Sequence, residues 1–400
     1  MAVQENDKAV KERLWNRNYL KVWSANFMIY FSFMLLTPLL PLYLSDTFGA
    51  DKQVIGIVLS GYTLTALIIR PFSGFLVDSF PRRTVLLVSY FLFTLLFAGY
   101  IVAGSLLLFA VIRTLHGAPF GAATVSNSTV AIDVLHPTRR AEGIGYYGLS
   151  NNIATAIGPT VALVIYGVCG SYNVLFGVAL LVAAIGLYIN YTLELKPREQ
   201  VKGKAPLSLD RFILVRGWSQ GVCMMCYSFA YGVLSTYIAI YGKDELGITG
   251  GTGLFFMLLS IGLILSRLVG GRTLKQGRIV QNATGGLAIS LVGYFVFAAL
   301  HNAWGYYGAA FIIGLGNGHM FPAFQTMFIN LASNEQRGTA NSTLLVSWDL
   351  GVGLGVLIGG FVSEHFGYHA AFWTAWVGKL AGVLLFYLYS RANFLKNRLR

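Results

Sequence analysis

The stretch VLLVSYFLFTLLFAGYIVAGSLLLFAV, residues 85–111, contains no charged side chain. An α-helix rises about 1.5 Å per residue, so about 20 apolar residues are enough to cross the ~30 Å hydrocarbon core of a bilayer. Val174–Tyr191 is a second run of this kind, and 56% of the 400 residues are hydrophobic while only 11% are charged. A soluble domain has about 25% charged residues. The sequence therefore predicts an all-α membrane protein.

Apolar runs of similar length recur along the chain and predict twelve transmembrane helices. They lie at about residues 19–45, 52–77, 83–103, 105–134, 141–169, 172–193, 211–241, 250–274, 279–300, 305–332, 338–363 and 368–391. Several runs contain Gly or Pro, which membrane helices tolerate because neighbouring helices satisfy the freed backbone groups.

The net charge of +13 comes from lysines and arginines that cluster between the apolar runs. When the loops are numbered alternately from the N-terminus, 23 of these cations fall on one side of the membrane, two (Lys52 and Lys243) on the other, and four inside spans. Such a bias places both termini and the central loop in the cytoplasm and supports an even number of spans. The clusters form no basic stripe on a soluble fold, so we expect no nucleic-acid partner.

The two halves of the chain repeat at an offset of 197 residues. The same residue type returns 197 positions later for Gly56, Arg70, Gly74, Gly117, Gly121, Arg140, Gly158 and Gly170. Parallel six-helix repeats are related by an axis along the membrane normal, with the substrate path between them. We therefore predict two pseudo-symmetric six-helix bundles, residues 1–193 and 211–400, joined by a cytoplasmic linker at residues 194–210.

The sequence contains no pattern that indicates catalysis or metal binding. Cys223 and Cys226 form a CxxC, but no second pair or His cluster completes a zinc site. A nucleotide-binding loop is also missing, which disfavours an ATP-driven pump. We expect no enzyme activity, no metal and no cofactor.

The segment GFLVDSFPRR, residues 74–83, resembles the loop between helices two and three of the major facilitator superfamily. The matching residues are Gly74, Asp78, Arg82 and Arg83, and the departures are Ser79 and Pro81. The resemblance covers essentially the whole chain and implies the twelve-helix fold of that family. It also implies that this loop is a cytoplasmic latch between the halves that stabilises the outward-facing state. The alternative is that its arginines only anchor the loop at the lipid headgroups.

Two further segments resemble motifs of the same family. Arg113, followed by Gly117, resembles its fourth-helix motif, and Gly158-Pro159 resembles part of its antiporter motif. Close helix packing is the alternative for the glycines.

Charged side chains inside spans cost about 2.5–3.5 kcal/mol at a helix centre and mark candidate transport residues. Arg113 is a candidate for binding a substrate anion or for proton coupling. Asp349 is a candidate proton or substrate-cation site, with a structural hydrogen bond as the alternative. Arg70 and Arg267 are expected to extend to the cytoplasmic interface, and Lys379 could also reach an interface.

Two carboxylates at the cytoplasmic ends of spans four and five, Asp133 and Glu142, are expected to pair with nearby loop arginines rather than with substrate. The arginines in reach are Arg82, Arg83, Arg139 and Arg140.

In several spans, polar and aromatic residues recur at a spacing of three or four, which places them on one face of the helix. The resemblance implies that these faces line a central cavity. The candidates are Asn26, Tyr30, His116, Thr124, Asn127, Asn152, Tyr227, Tyr231, Asn317, Phe321, Phe324 and Trp348. Helix packing is the alternative for each of them. Such a wall suits a moderately hydrophobic organic solute better than a sugar or a phosphate.

These observations favour a secondary active transporter that moves a small organic solute by alternating access, as proton-coupled efflux of a metabolite or drug-like compound. The alternative is an uptake carrier or facilitator for a small organic anion that uses Arg113. We expect the partners to be a small-molecule substrate, protons and the lipid bilayer, with the protein a monomer in a bacterial inner membrane.

Overall fold

The computed structural model describes residues 14–37, 39–50, 52–195, 211–248 and 252–399. Within these ranges the chain is almost entirely helical and forms no strand. The linker predicted at residues 194–210 lies outside the described residues except for its first two positions.

Thirteen helices follow one another in the described residues. Those of the first half are α1 (Arg17–Leu36), α2 (Leu40–Phe48), α3 (Lys52–Ser79), α4 (Arg82–Val102), α5 (Leu106–Asp133), α6 (Arg140–Cys169) and α7 (Tyr172–Tyr191). Those of the second half are α8 (Trp218–Asp244), α9 (Thr252–Lys275), α10 (Ile279–Ala299), α11 (Ala303–Leu331), α12 (Arg337–Leu385) and α13 (Arg391–Asn397). A π-helical turn, Phe386–Ser390, joins α12 to α13.

The long helix α12 contains two membrane crossings. Its backbone leaves the helical region at Gly367, where φ is 83°. Along α8, the side chain of Tyr237 faces Gly360 before this break, and that of Phe229 faces Gly378 after it. The chain therefore turns back along α8 at Gly367. With α1 and α2 counted as one crossing, the described helices make up the twelve predicted spans.

By length and composition, eight helical segments of the described residues could each cross a membrane. The last of them, Arg337–Asn397, is the 61-residue segment that contains both crossings of α12. Large apolar side chains are exposed along these helices, among them Val102, Leu107 and Leu388. In a bilayer such side chains contact lipid, and the helical backbone satisfies its own polar groups.

The 197-residue repeat is visible in the backbone. Gly170, at the end of α6, and its repeat mate Gly367 both have positive φ, 62° and 83°. Ser105 and its repeat mate Asn302 each cap the helix that follows, because the side-chain oxygen accepts the N–H group three residues on. The repeat in sequence therefore corresponds to a repeat in structure.

Two of the repeated glycines lie at close helix crossings. A Cβ atom at Gly117 in α5 would overlap the carbonyl oxygen of Tyr62 in α3. A Cβ atom at Gly314 in α11 would likewise overlap the carbonyl oxygen of Leu259 in α9. Since Tyr62 and Leu259 are also 197 residues apart, both halves use the same small-residue packing.

Candidate functional site

A buried ion pair joins the two halves of the molecule. Arg70 lies in α3 and Asp349 in α12, and their Nε and Oδ2 atoms are 2.9 Å apart. The side chains are 6% and 15% exposed. Among the described residues, Nε and Nη1 of Arg70 have no well-aligned hydrogen-bond partner, so the attraction is chiefly electrostatic. The prediction that Arg70 extends to the interface is wrong, because the side chain is buried against the carboxylate of the other half.

Tyr30 of α1 belongs to the same site. It lies near both Arg70 and Asp349. The backbone carbonyl of Arg70 accepts a hydrogen bond of 2.5 Å from the hydroxyl of Ser342, in the same helix as Asp349. Groups from α1, α3 and α12 therefore meet at this point of the seam between the halves.

Arg267 of α9 is the repeat mate of Arg70 and is equally buried, at 5% exposed. Its guanidinium lies against α6 of the first half, where a Cβ atom at Gly148 would be 2.9 Å from Nη2. Tyr227, the repeat mate of Tyr30, lies near it. Nε and Nη1 of Arg267 have no hydrogen-bond partner among the described residues. The prediction that Arg267 extends to the interface is therefore also wrong.

Lys379 is a third buried cation, 1% exposed, and does not reach an interface. Its Nζ atom lies 3.8 Å from the ring centroid of Tyr227 and 5.3 Å from that of Tyr294. Such cation–π contacts partly offset the loss of hydration. No ion pair with a carboxylate of the described part of the chain involves Lys379.

Arg113 lies near the other end of the bundle, seven residues after the start of α5. It packs 4.1 Å from the ring centroid of Tyr62 and donates a 3.3 Å hydrogen bond to the hydroxyl of Tyr100. The same hydroxyl is 2.7 Å from Nδ1 of His116, which is fully buried. These contacts all lie within the first half, so the structure does not bring Arg113 together with Asp349.

Five of the predicted cavity residues are partly exposed: Tyr30, Asn152, Tyr231, Phe321 and Trp348. Trp348 is the centre of an aromatic group in the second half. The rings of Tyr227, Tyr231 and Phe321 lie 5.3, 5.4 and 5.6 Å from it. These residues form an aromatic wall beside Arg267 and Lys379.

The remaining cavity candidates are buried: Asn26, His116, Thr124, Asn127, Tyr227, Asn317 and Phe324. Several are bound within their own half. Tyr147 donates to Asn26 at 2.7 Å and accepts from Asn127 at 2.9 Å, and Asn317 accepts from Ser290 at 2.9 Å. For Asn26, Asn127 and Asn317 these contacts favour the alternative of helix packing.

The loop residues predicted as a latch connect the halves at the end of the bundle that carries Arg82, Arg139 and Arg337, here called the basic end. Asp78 accepts the backbone N–H groups of Gly338 and Thr339 at 2.9 and 2.8 Å. The first N–H groups of a helix have no partner within it, so Asp78 caps α12 from the opposite half. Its negative charge also interacts favourably with the helix dipole.

Gly74 permits this close approach, because a Cβ atom there would lie 2.7 Å from Cβ of Ser342. Arg82 pairs with Asp133, and Nη1 of Arg337 lies 2.6 Å from the same carboxylate. Arg83 instead donates to the backbone oxygen of Tyr191 at 2.8 Å, within the first half. Arg83 therefore lies apart from the contacts that bridge the halves.

The expected pairing of the two carboxylates at the ends of spans four and five is confirmed. Asp133 pairs with Arg82, and Oε2 of Glu142 lies 3.0 Å from Nε of Arg139. Hydrogen bonds and ion pairs join described residues of the two halves from the basic end as far as the Arg70–Asp349 pair. The molecule is therefore closed at its basic end.

A family comparison agrees with this architecture. The chain matches the sequence profile of the Major Facilitator Superfamily over residues 22–342 and 283–398. The chain belongs to this family. It is a multi-pass membrane transporter with twelve transmembrane helices in two pseudo-symmetric bundles, and not an enzyme.

Relatives of known name span nearly the full length of the chain. The staphylopine export protein of Staphylococcus aureus is 23% identical, over 92% of this chain and 93% of that protein. The multidrug resistance protein MdtG of Escherichia fergusonii is 24% identical, over 100% and 98% of the two chains. The crystal structure of the human organic anion transporter MFSD10 has a TM-score of 0.80 at 18% identity, over 92% and 98% of the two chains, and so has the same fold.

Proposed function

We propose that the protein is a secondary active transporter that exports a small organic solute by alternating access, in exchange for protons. The observation that carries the proposal is the buried Arg70–Asp349 pair across the seam, 2.9 Å between Nε and Oδ2. A carboxylate in such a place is charged or neutral according to the cation beside it and the water that reaches it. It can therefore link proton binding to the separation of the halves.

The cycle follows from the charges. While the basic end is closed, ionised Asp349 attracts Arg70 and holds α12 against α3. A proton that reaches Asp349 from the open side removes this attraction, so that the basic end opens. At the open basic end the proton leaves and the solute enters. The restored attraction then closes this end, and the solute leaves through the opposite end. Each turn exchanges one proton for one solute molecule across the membrane.

Export as the direction of transport is supported by the names of the two full-length relatives, an export protein and a multidrug resistance protein. We further propose that the protein resides in a bacterial inner membrane with both termini in the cytoplasm. The basic end is then the cytoplasmic gate, and the closed arrangement of Gly74, Asp78 and Arg82 belongs to the outward-facing state. The domain limits at residues 193 and 211 belong to the same proposal.

A proton-flux assay tests this function. The purified protein is reconstituted in liposomes that contain a pH-sensitive dye, and a pH gradient is imposed with and without amphipathic dyes and aromatic acids. We expect solute-dependent proton movement, and we expect Asp349→Asn to abolish it at unchanged amounts of reconstituted protein. Glu142→Gln is the matched control, because this carboxylate pairs with Arg139 within the first half, and it should retain the flux.

Two outcomes contradict the proposal. Solute flux that is independent of the gradient indicates a facilitator, which is the alternative function. Proton coupling that persists in Asp349→Asn assigns the coupling to another group, for which Arg113 and His116 are the next candidates.

A further inference from the structure

Two sets of three residues occupy equivalent positions in the two halves. Tyr30, Arg70 and Asp349 make up the first set, and a shift of 197 residues relates them to Tyr227, Arg267 and Asn152. In both sets the tyrosine lies near the arginine. The sets differ in one group, since the first contains a carboxylate where the second contains an amide.

The contacts of Arg267 agree with this difference. Arg70 has Asp349 at 2.9 Å, whereas Nε and Nη1 of Arg267 are buried with no partner among the described residues. Gly148 of α6 lies against the Arg267 guanidinium, and Asn152 lies one helical turn further along the same face of α6. Nδ2 of Asn152 is likewise buried and without a partner in that part of the chain. Two polar groups in need of partners thus lie along one seam, between α6 and α9.

The balance of charge inside the spans also indicates that Arg267 lacks an anionic partner. Away from the basic end, four cations of the described spans are buried, namely Arg70, Arg113, Arg267 and Lys379, and Asp349, 15% exposed, is the carboxylate beside Arg70. Arg70 uses that carboxylate. The Nζ atom of Lys379 lies 3.8 Å from the ring centroid of Tyr227, the tyrosine that lies near Arg267. Buried charges in proteins are ordinarily paired, so this region lacks an anion.

We propose that Arg267 binds the carboxylate of the transported solute, which takes the position that Asp349 holds in the first set. A guanidinium recognises a carboxylate through two parallel hydrogen bonds. Tyr227, Tyr231 and Trp348 provide an aromatic wall for an apolar body. The substrate class is therefore an amphipathic aromatic carboxylic acid. This inference rests on the proposed function for the transport itself.

The test supplies the missing carboxylate from the protein. Asn152→Asp places an acid at the position equivalent to Asp349, so Arg267 gains an internal partner and the solute is displaced. Asn151→Asp is the matched control. It adds the same charge one residue earlier, and it keeps the side-chain oxygen that accepts from Asn26 and Ser150.

Binding is measured by calorimetry on the purified full-length protein, with benzoate, 1-naphthaleneacetate and indole-3-acetate and the primary amide of each. We expect at least one acid to bind, and its amide to bind at least tenfold more weakly. Asn152→Asp and Arg267→Gln should weaken binding of that acid at least tenfold, and Asn151→Asp should not. Asn152→Asp should also unfold at a higher temperature than Asn151→Asp.

The proposal is overturned if no acid binds, if acid and amide bind equally, or if Asn152→Asp binds the acid as the unchanged protein does. An Asn152→Asp protein no more stable than the control also contradicts it. The assay needs no gradient, so it separates the two proposals. Acid binding without proton-coupled flux contradicts only the proposed exchange, and equal proton-coupled flux of acid and amide contradicts only the Arg267 site.

Discussion

Arg70 lies nine residues from the end of α3 and Asp349 twelve residues from the start of α12. At about 1.5 Å per residue, both are more than ~10 Å from the basic end. An ion taken out of bulk water inside the membrane-spanning region costs several kcal/mol even after the surroundings relax. Each of the two residues therefore depends on the other, and they belong to different halves. The pair is satisfied only while the basic end is closed, which gives one contact control over the position of both bundles.

A double-mutant cycle measures this dependence. Arg70→Gln or Asp349→Asn alone leaves a buried charge without its partner, and we expect each to destabilise the protein by about 3–5 kcal/mol. The double variant removes both charges and should recover part of the loss, with an interaction energy of roughly 0.5–3 kcal/mol. Thermal and denaturant unfolding in detergent give the four values. The same cycle on Arg139–Glu142 is the comparison, because this pair lies within the first half and does not join the halves. Additive losses at Arg70 and Asp349 would show that the pair contributes no attraction.

The partner of Arg70 could not be predicted from the sequence. Asp349 is 279 positions away, and their contact exists only because α3 crosses α12 at the seam between the bundles. The position of Arg70 near the cytoplasmic end of its span predicted that its side chain reaches water. In the structure the second half packs over this side chain instead. The repeat did contain a usable signal, since Asn152 and Asp349 are 197 residues apart. Only the structure shows that their helices face Arg267 and Arg70.

At the scale of helices, the start of α12 depends on a residue of another helix. Gln336, which precedes α12, makes no side-chain capping bond. Asp78 of α3 accepts from the N–H groups of Gly338 and Thr339 instead. A helix end that is satisfied across the seam loses its cap when the halves separate. The open state therefore carries the cost of an uncapped α12, which favours closure.

Removal of this cap should open the basic end more often. Capping contributes about 0.5–2 kcal/mol, so we expect Asp78→Ala to raise the open population roughly 2- to 30-fold, and Asp78→Asn less. Opening is measured by the rate at which a thiol reagent labels a Thr129→Cys reporter in a cysteine-free background. Thr129 is buried and its hydroxyl accepts a hydrogen bond from Asn341 of the other half, so the reagent reaches this position only when the halves separate. Arg83→Gln should not change the labelling rate. An unchanged labelling rate in Asp78→Ala would contradict the latch and favour the alternative that the loop only anchors at the lipid headgroups.

The helices themselves were predictable, because bilayer thickness fixes their length and apolar runs mark their positions. The break in the first span was not predicted. The run at 19–45 is divided in the structure, with α1 ending at Leu36 and α2 beginning at Leu40. Pro38 and Pro41 lie at this break in the sequence, and proline removes a backbone donor and disfavours the preceding helical turn. The apolar run alone therefore does not predict the break between α1 and α2.

At the scale of the whole molecule, the contacts between the halves are concentrated at one end. Two rigid bundles that touch at one end can exchange contacts between ends by rocking about the seam. The buried charges lie within that seam or beside it, where such a motion changes their access to water. Whether this end faces the cytoplasm decides whether the described state is open to the inside or to the outside of the cell.

The distribution of lysine and arginine predicts the answer. With 23 cations on the side of the termini and two on the other, the basic end should face the cytoplasm. Alkaline phosphatase inserted after Gly49 or Gly247, both in turns with positive φ at the opposite end, should be active because that enzyme matures only outside the inner membrane. The same insert after Asn334, in the loop before α12, should be inactive, and a fluorescent protein at the C-terminus should fluoresce. An active insert at Asn334, at equal protein amounts by immunoblot, would show that the orientation in the membrane is the reverse of the predicted one. The latch and the Arg70–Asp349 pair would then close the outer gate, and a proton would reach Asp349 from the cytoplasm.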